Sequence, residues 1–186
     1  MPTLQKPVNH TLFFRSLAIL LFSLPKTSVA GTQITYIDDQ FGDTVTGALP
    51  TYLPPSLWIQ GSICSACAFH PDSTKTYDST WHDATTNISA TVQFNFTVMS
   101  STTLDVYCLL PNHKSPGVST NSFYNLSFVL DGQTLAQTFV HSSDLSGNIQ
   151  YNAGVLSLSN LDPVAHTVSM IALQNSVFHF DFATYT

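Results

Sequence analysis

Along residues 87–98, NISATVQFNFTV, apolar and polar side chains alternate without a break. Ile88, Ala90, Val92, Phe94, Phe96 and Val98 fall on one side, and Asn87, Ser89, Thr91, Gln93, Asn95 and Thr97 on the other. A side-chain period of two belongs to an extended strand with one buried face and one wet face. The same pattern predicts strands at 33–38, 103–110, 124–131, 134–141, 154–161, 166–173 and 177–185. Asp131-Gly132, between two of these runs, is a tight hairpin signal. Residues 111–117, PNHKSPG, predict a longer loop, and 160–163, NLDP, a corner. No amphipathic helix of useful length, internal repeat or low-complexity linker interrupts the series. Many short strands at this spacing predict one all-β domain, an antiparallel β-sandwich or jelly roll.

The first thirty residues do not share the pattern. Lys6, His10 and Arg15 make a positive start, an apolar run of nine follows at 16–24, and Ser28-Val29-Ala30 precedes Gly31. That order reads as a cleaved secretory signal peptide over 1–30, leaving a secreted domain over 31–186. The apolar run is short of the roughly 20 residues that cross a bilayer; an uncleaved anchor is the alternative.

Removing the leader changes the charge. Of the five Lys and Arg, only Lys75 and Lys114 remain, against eleven Asp and no Glu, so the mature net charge is 2 − 11 = −9. With two cations there is no basic patch, which excludes nucleic acid and anionic membrane surfaces as partners. The sequons at Asn87, Asn95 and Asn125 suit an extracellular glycoprotein. Asn87 and Asn95 share the polar side of one strand, and glycans there would leave ligand binding to the loops.

Cys64 and Cys67 form C-S-A-C. In an oxidising compartment this spacing reads as a short-loop disulfide. A thioredoxin-like redox pair, or a metal set with His70, are the alternatives; no helix follows, and a fourth ligand is not visible. Cys108 alternates with Leu104, Val106 and Leu110, a core face. Its spacing to His113 echoes a blue-copper loop without the Met.

IDDxxGDTVTG (37–47), Trp-x-x-Gly (58–61), C-S-x-C (64–67), HPDxxxxYDxTWHDAT (70–85), LDG (130–132) and FDFATYT (180–186) together resemble a family of secreted and cell-surface proteins of mushroom-forming fungi. The resemblance covers nearly all of 31–186 and implies a galactose-binding-like jelly roll. Its motifs mark the family rather than a chemistry. Many such proteins continue into a transmembrane helix. This chain has no such span and ends after its last strand, as a secreted or shortened form would. The resemblance also implies a structural calcium ion, with Asp78 and Asp181 as loose matches to its ligands; carboxylate oxygens suit that ion. Asp38, Asp39 and Asp43 form a second acidic patch, expected to cap turns and aid solubility. Trp81 is expected to pack in the core or at its edge, and His82 to be a hydrogen-bonded structural residue.

Three functions fit. The first is a non-catalytic module for extracellular or cell-wall carbohydrate. Its candidate ligand-binding residues are Tyr52 and Trp58 in a Pro-rich loop, Trp81, His82 and Asp83, with Tyr124 a further stacking residue. The second is a cell-surface ectodomain that binds a protein partner. The third is a glycoside hydrolase using two Asp. Nothing marks a pair of acids, and Ser79, His82 and Asp83 are too close in sequence to converge as a triad, so no catalytic residue is assigned.

Overall fold

The computed structural model describes residues 33–85, 88–98, 103–112 and 123–186. The expected leader, the sequon at Asn87 and the loop carrying His113 and Lys114 lie outside them. The chain divides into two units, Met1–Gly31 and Thr32–Thr186. Among the described residues no helix is long and apolar enough to cross a membrane.

The strands are β1 (Thr35–Asp38), β2 (Gly42–Asp43), β3 (Thr51–Leu53), β4 (Trp58–Gln60), β5 (His82–Thr85), β6 (Ala90–Thr97), β7 (Thr103–Pro111), β8 (Tyr124–Leu130), β9 (Gln133–His141), β10 (Ile149–Ser159), β11 (Ala165–Ala172) and β12 (Val177–Tyr185). They form two antiparallel sheets. One has the order β3-β6-β11-β8-β9. The other runs β10-β7-β12-β1-β2, with β5 also on β12 and β4 on β5. The eight long runs read from the period of two are all strands. The short β2 to β5 and the first residues of β10 carry too few alternations to announce themselves. Asp131 (φ 50°) and Gly132 (φ 79°) make the expected hairpin turn between β8 and β9.

The sandwich is an antiparallel jelly roll whose sheets meet through aromatic rings. Phe94 of β6 stacks on Phe180 of β12 with centroids 5.7 Å apart, and Phe96 meets Tyr185 at 5.5 Å. Leu104, Val106, Leu126, Phe128, Val168 and Met170 complete the buried face. Cys108 is a free, fully buried thiol in the same face, and burial, ahead of the Asp181 charge, pushes its pKa well above the usual range.

β12 departs from simple alternation at one point that shapes the site. Its register against β7 shifts between Phe180 and Phe182, so Asp181 is the extra residue of a bulge. A uniform period of two would put Phe180 and Phe182 on one face. The bulge flips the parity instead: Phe180 points at Phe94, while Phe182 lies with Tyr36, Tyr77 and Tyr107. The same strand takes two partners along one edge. β5 pairs with 177–180 and β1 with 182–185, so Asp181 sits at the seam between them.

Candidate functional site

The residues before β5 wrap over β12. Thr76 and Thr80 bracket a single 3-10 turn, Tyr77–Ser79, in which Asp78 and Ser79 take left-handed φ of 45° and 65°. The turn is held by Asp181, whose Oδ1 accepts the Tyr77 backbone N–H at 3.0 Å. Phe69 meets His179 edge-on at 5.6 Å, and Tyr77 lies 5.0 Å from Phe182. Upstream, Cys64 and Cys67 are joined in the expected disulfide. Gly61 rests on the Trp81 indole: a Cβ there would sit 1.8 Å from Nε1, so only glycine allows the approach.

The candidate binding residues read from the sequence do not form one open site. Tyr52 stacks on His82 at 4.1 Å, meets Trp58 at 4.9 Å, and donates its hydroxyl to the Asp39 carbonyl at 2.6 Å. Trp58 in turn packs on Phe178 at 5.3 Å and donates Nε1–H to the Leu53 carbonyl. Both are half-buried and occupied with one another, and they are not loop aromatics open for stacking. Trp81 is buried, as expected, with no partner for Nε1–H. Tyr124, the further stacking candidate, is fully buried and donates its hydroxyl to the Leu109 carbonyl. Asp83 is buried too. It lies 3.4 Å from His179 Nε2, an ion-pair distance without hydrogen-bond geometry. His82 Nδ1–H donates to Asp39 Oδ2 at 2.7 Å, a structural tie rather than a wall of a pocket.

The acidic patch is the larger correction. Asp38, Asp39 and Asp43 are 1%, 1% and 2% exposed, so they add nothing to solubility. Asp38 and Asp43 do cap turns: each accepts two backbone N–H groups two and three residues on, from Gln40 and Phe41 and from Val45 and Thr46. Tyr185 donates its hydroxyl to Asp43 at 2.8 Å. Asp39 instead takes Thr80 Oγ1–H at 2.6 Å and the His82 ring. Sequence spacing left this convergence invisible, because Asp38 and Asp39, Thr80 and His82, and Asp181 come from three distant segments.

Asp78 and Asp181, the expected calcium ligands, are in unlike places. Asp78 is exposed, and its charge acts on Asp38. Asp181 is fully buried beside Asp38 and Asp39, and no hydrogen-bond donor reaches its Oδ2. Among the described residues no group of three or more His, Cys, Asp or Glu is disposed to hold a metal ion. Burial raises Asp181 to about 8, with the Asp39 and Asp38 charges adding to it and the Tyr77 N–H opposing. Burial likewise raises Asp38 to about 6, against its turn hydrogen bonds.

On the outer face of the same sheet lies a cavity of about 490 Å³ that sequence reading missed. Its walls include Tyr77, Tyr151, Asn152, Phe182, Lys75 and Thr74. Phe182 forms the floor of an aromatic group: it stacks on Tyr107 at 4.7 Å, and Tyr77 lies parallel to Tyr36 at 4.9 Å. Tyr151 and Asn152 come from a second register shift, in β10 between Gln150 and Ala153, with Asn152 at φ 52°. The Tyr151 hydroxyl accepts the Asp72 N–H at 2.8 Å, and Lys75 Nζ stands 5.5 Å from the Tyr151 ring centre. A smaller hollow of about 260 Å³ lies under the disulfide loop, beside His70, Ser65 and Trp81. Rings, an ammonium, an amide and hydroxyls in one open groove can hold a ligand with apolar C–H faces and many hydroxyls. They offer no paired acids for bond cleavage.

No protein-family model and no curated protein matches the chain. Solved structures that resemble it include a family 35 carbohydrate binding module from Clostridium thermocellum, at 9% identity and TM-score 0.48, spanning 83% of this chain and 98% of that one. CBM35 from Paenibacillus barcinonensis matches at 10% identity and TM-score 0.47, over 83% and 98% of the two chains. CBM35 from Cellvibrio japonicus Abf62 matches at 16% identity and TM-score 0.43, over 75% and 92%. What those modules bind is a property of those proteins; the chemistry of this chain lies in its own residues.

Proposed function

We propose that the chain is a secreted, non-catalytic module that binds extracellular or cell-wall carbohydrate in the groove beside Tyr77, Tyr151 and Phe182. The observation that carries this reading is the groove itself. At about 490 Å³ it falls in the range of small-molecule sites, roughly 300–1,000 Å³. Sugar C–H faces lie on aromatic rings, while hydroxyls bond to amide, ammonium and hydroxyl groups. Asn152, Lys75 and Thr74 supply those groups within one lining. Glycans at Asn95 and Asn125 would leave this face open. Both lie in the opposite sheet, Asn95 in β6 and Asn125 in β8.

The test is a pull-down of the mature domain on a panel of cell-wall polysaccharides and glycans, repeated with Tyr151→Ala. Removing a stacking ring is expected to weaken capture at least tenfold, with thermal stability nearly unchanged because Tyr151 is half-exposed. Failure to bind any glycan, or equal binding by the variant, ends the reading. A protein partner is the second reading. It is favoured by three exposed apolar side chains between β1 and β3, Phe41, Val45 and Leu49, which are 61%, 68% and 63% exposed.

A further inference from the structure

Rings set which faces of a sugar the groove can hold, and charge sets which sugars it admits. Lys75 is the sole Lys or Arg among the described residues, and it stands on the groove wall. Its ammonium is already engaged. It lies 3.7 Å from Asp72 Oδ2 and 5.5 Å from the centre of the Tyr151 ring. Asp72 is itself fixed. Its Oδ1 accepts the Thr74 N–H at 3.0 Å and the Thr74 hydroxyl at 2.6 Å, and its own N–H goes to the Tyr151 hydroxyl at 2.8 Å. The Thr74 donors, ahead of the Lys75 charge, hold the Asp72 carboxyl below its ordinary range, so it carries its charge at neutral pH.

We propose that the groove takes neutral sugars and turns away uronates, and that Asp72 sets this selectivity by holding the charge of Lys75. The inference rests on the carbohydrate reading above and narrows it to a class of sugar. A uronate carboxylate entering the groove needs a cation free to face it, because charge-assisted hydrogen bonds are what offset its desolvation. The one cation lining this groove already faces a carboxylate. Lys75 and Asp72 cancel, and exposed Asp78, next to the Tyr77 wall, leaves the rim net negative. The chain as a whole adds to this, with five Lys and Arg against eleven Asp and a net charge of −6. A neutral pyranose meets no such opposition. Its C–H face lies on a ring. An ammonium has three donors, so facing one carboxylate leaves others for sugar hydroxyls, beside those of Asn152 and Thr74.

Asp72 acts through Lys75 without lining the groove itself. Its two ends do separate work. The backbone N–H holds the Tyr151 hydroxyl, and the carboxylate holds the ammonium. An Asn in its place keeps an acceptor for Thr74 and leaves the backbone bond to Tyr151, so Asp72→Asn removes the charge and little else. The Lys75 and Asp72 side chains are 60% and 47% exposed. An exposed pair adds little to stability. Its influence lies in the local charge, which reaches about 10 Å at 0.1 M salt.

Calorimetric titration of the mature domain with neutral oligosaccharides (from xylan, glucan and mannan) and with oligogalacturonates tests the selectivity at low salt. The wild type is expected to bind a neutral oligosaccharide about tenfold or more tighter than any uronate. Equal or tighter uronate binding overturns the proposal. Asp72→Asn should raise the ratio of uronate to neutral affinity by about threefold or more, the size of effect an exposed ion pair supports. Adding Lys75→Gln to that variant should abolish the gain. An unchanged ratio in Asp72→Asn, or a gain that survives the loss of Lys75, overturns the role of Asp72. Should the variant not fold, salt decides on the wild type. Screening should narrow the gap between neutral and uronate ligands, and a gap indifferent to salt removes charge as its cause. If glycans of both classes bind alike, the selectivity falls and the carbohydrate reading stands. If neither class binds at any salt, the reading fails and takes the selectivity with it.

Discussion

The two sheets of the sandwich bury their strands in opposite ways. In the five-stranded sheet, β6, β8 and β11 alternate between a buried and a wetter face. The polar row of that sheet pairs locally, as Gln93 does with Ser169 at 2.9 Å and Thr167 with Asn95 at 2.7 Å. In the seven-stranded sheet, β12 is buried along eight of its nine residues because irregular chain from Gly61 to Trp81 lies over its second face. Irregular chain cannot satisfy its own backbone groups as a strand ladder does. Side chains do part of it instead: Asp181 accepts the Tyr77 N–H, Tyr151 the Asp72 N–H and Asp72 the Thr74 N–H. An open face tolerates polar residues at no cost. A covered face must place each one, and the groove lined by residues 74–77 of the covering chain is a consequence of that covering.

Four substitutions probe this contrast. The largest effect belongs to the core the sheets share. Phe180→Ala removes the ring stacked on Phe94 and should cost about 3–5 kcal/mol. Phe94→Ala should cost a similar amount in urea denaturation, and a large inequality between them would show that one sheet stands without the other. Next is the cover itself. Gly61→Ala places a methyl against the Trp81 indole and should destabilise by about 1–3 kcal/mol. It should also change Trp fluorescence, and a silent substitution would mean the cover is loosely held.

The smallest effect tests the open sheet. At the start of β11, His166 has an acceptor on each ring nitrogen, Asp131 Oδ2 at 2.7 Å and the Asp162 carbonyl at 2.8 Å. Burial opposes its charge, but these acceptors raise its pKa above the ordinary 6.5 overall. Its contribution is therefore fully present below pH 6.5 and is lost as pH rises through the raised value. His166→Gln should lose about 1 kcal/mol at pH 5.5 and less at pH 9, measured by denaturant midpoints. This sheet thus gains stability on protonating a histidine.

Much of the open sheet was legible in advance and little of the covered one. Ile88 to Val98 spell out β6 because half-burial imposes a period of two on the residues themselves. Tyr52 and Trp58 looked available because a Pro-rich connection reads as a surface loop. Only their packing on His82 and Phe178 shows that the rings are engaged. Of the rings that do line a groove, Phe182 sits inside a predicted strand, where aromatic residues read as core, and Tyr151 falls in the first residues of β10, which the period of two did not announce. Two register shifts turned them outward, and a one-residue shift reverses every side chain beyond it.

Alone, the sequence determined the all-β class, the long strands, the Asp131-Gly132 hairpin, the Cys64–Cys67 bridge and the acidic, cation-poor character of the chain. These are local or compositional properties, fixed by neighbours in the chain or by a count. Tertiary structure decided that acids from two distant segments, Asp38 and Asp39 with Asp181, share one buried seam, and that rings from β10, β12 and the 77–79 turn share one groove. Contacts of that kind depend on where bulges fall and on what covers a sheet. Those are set by the packing of residues distant in sequence, which no local period records.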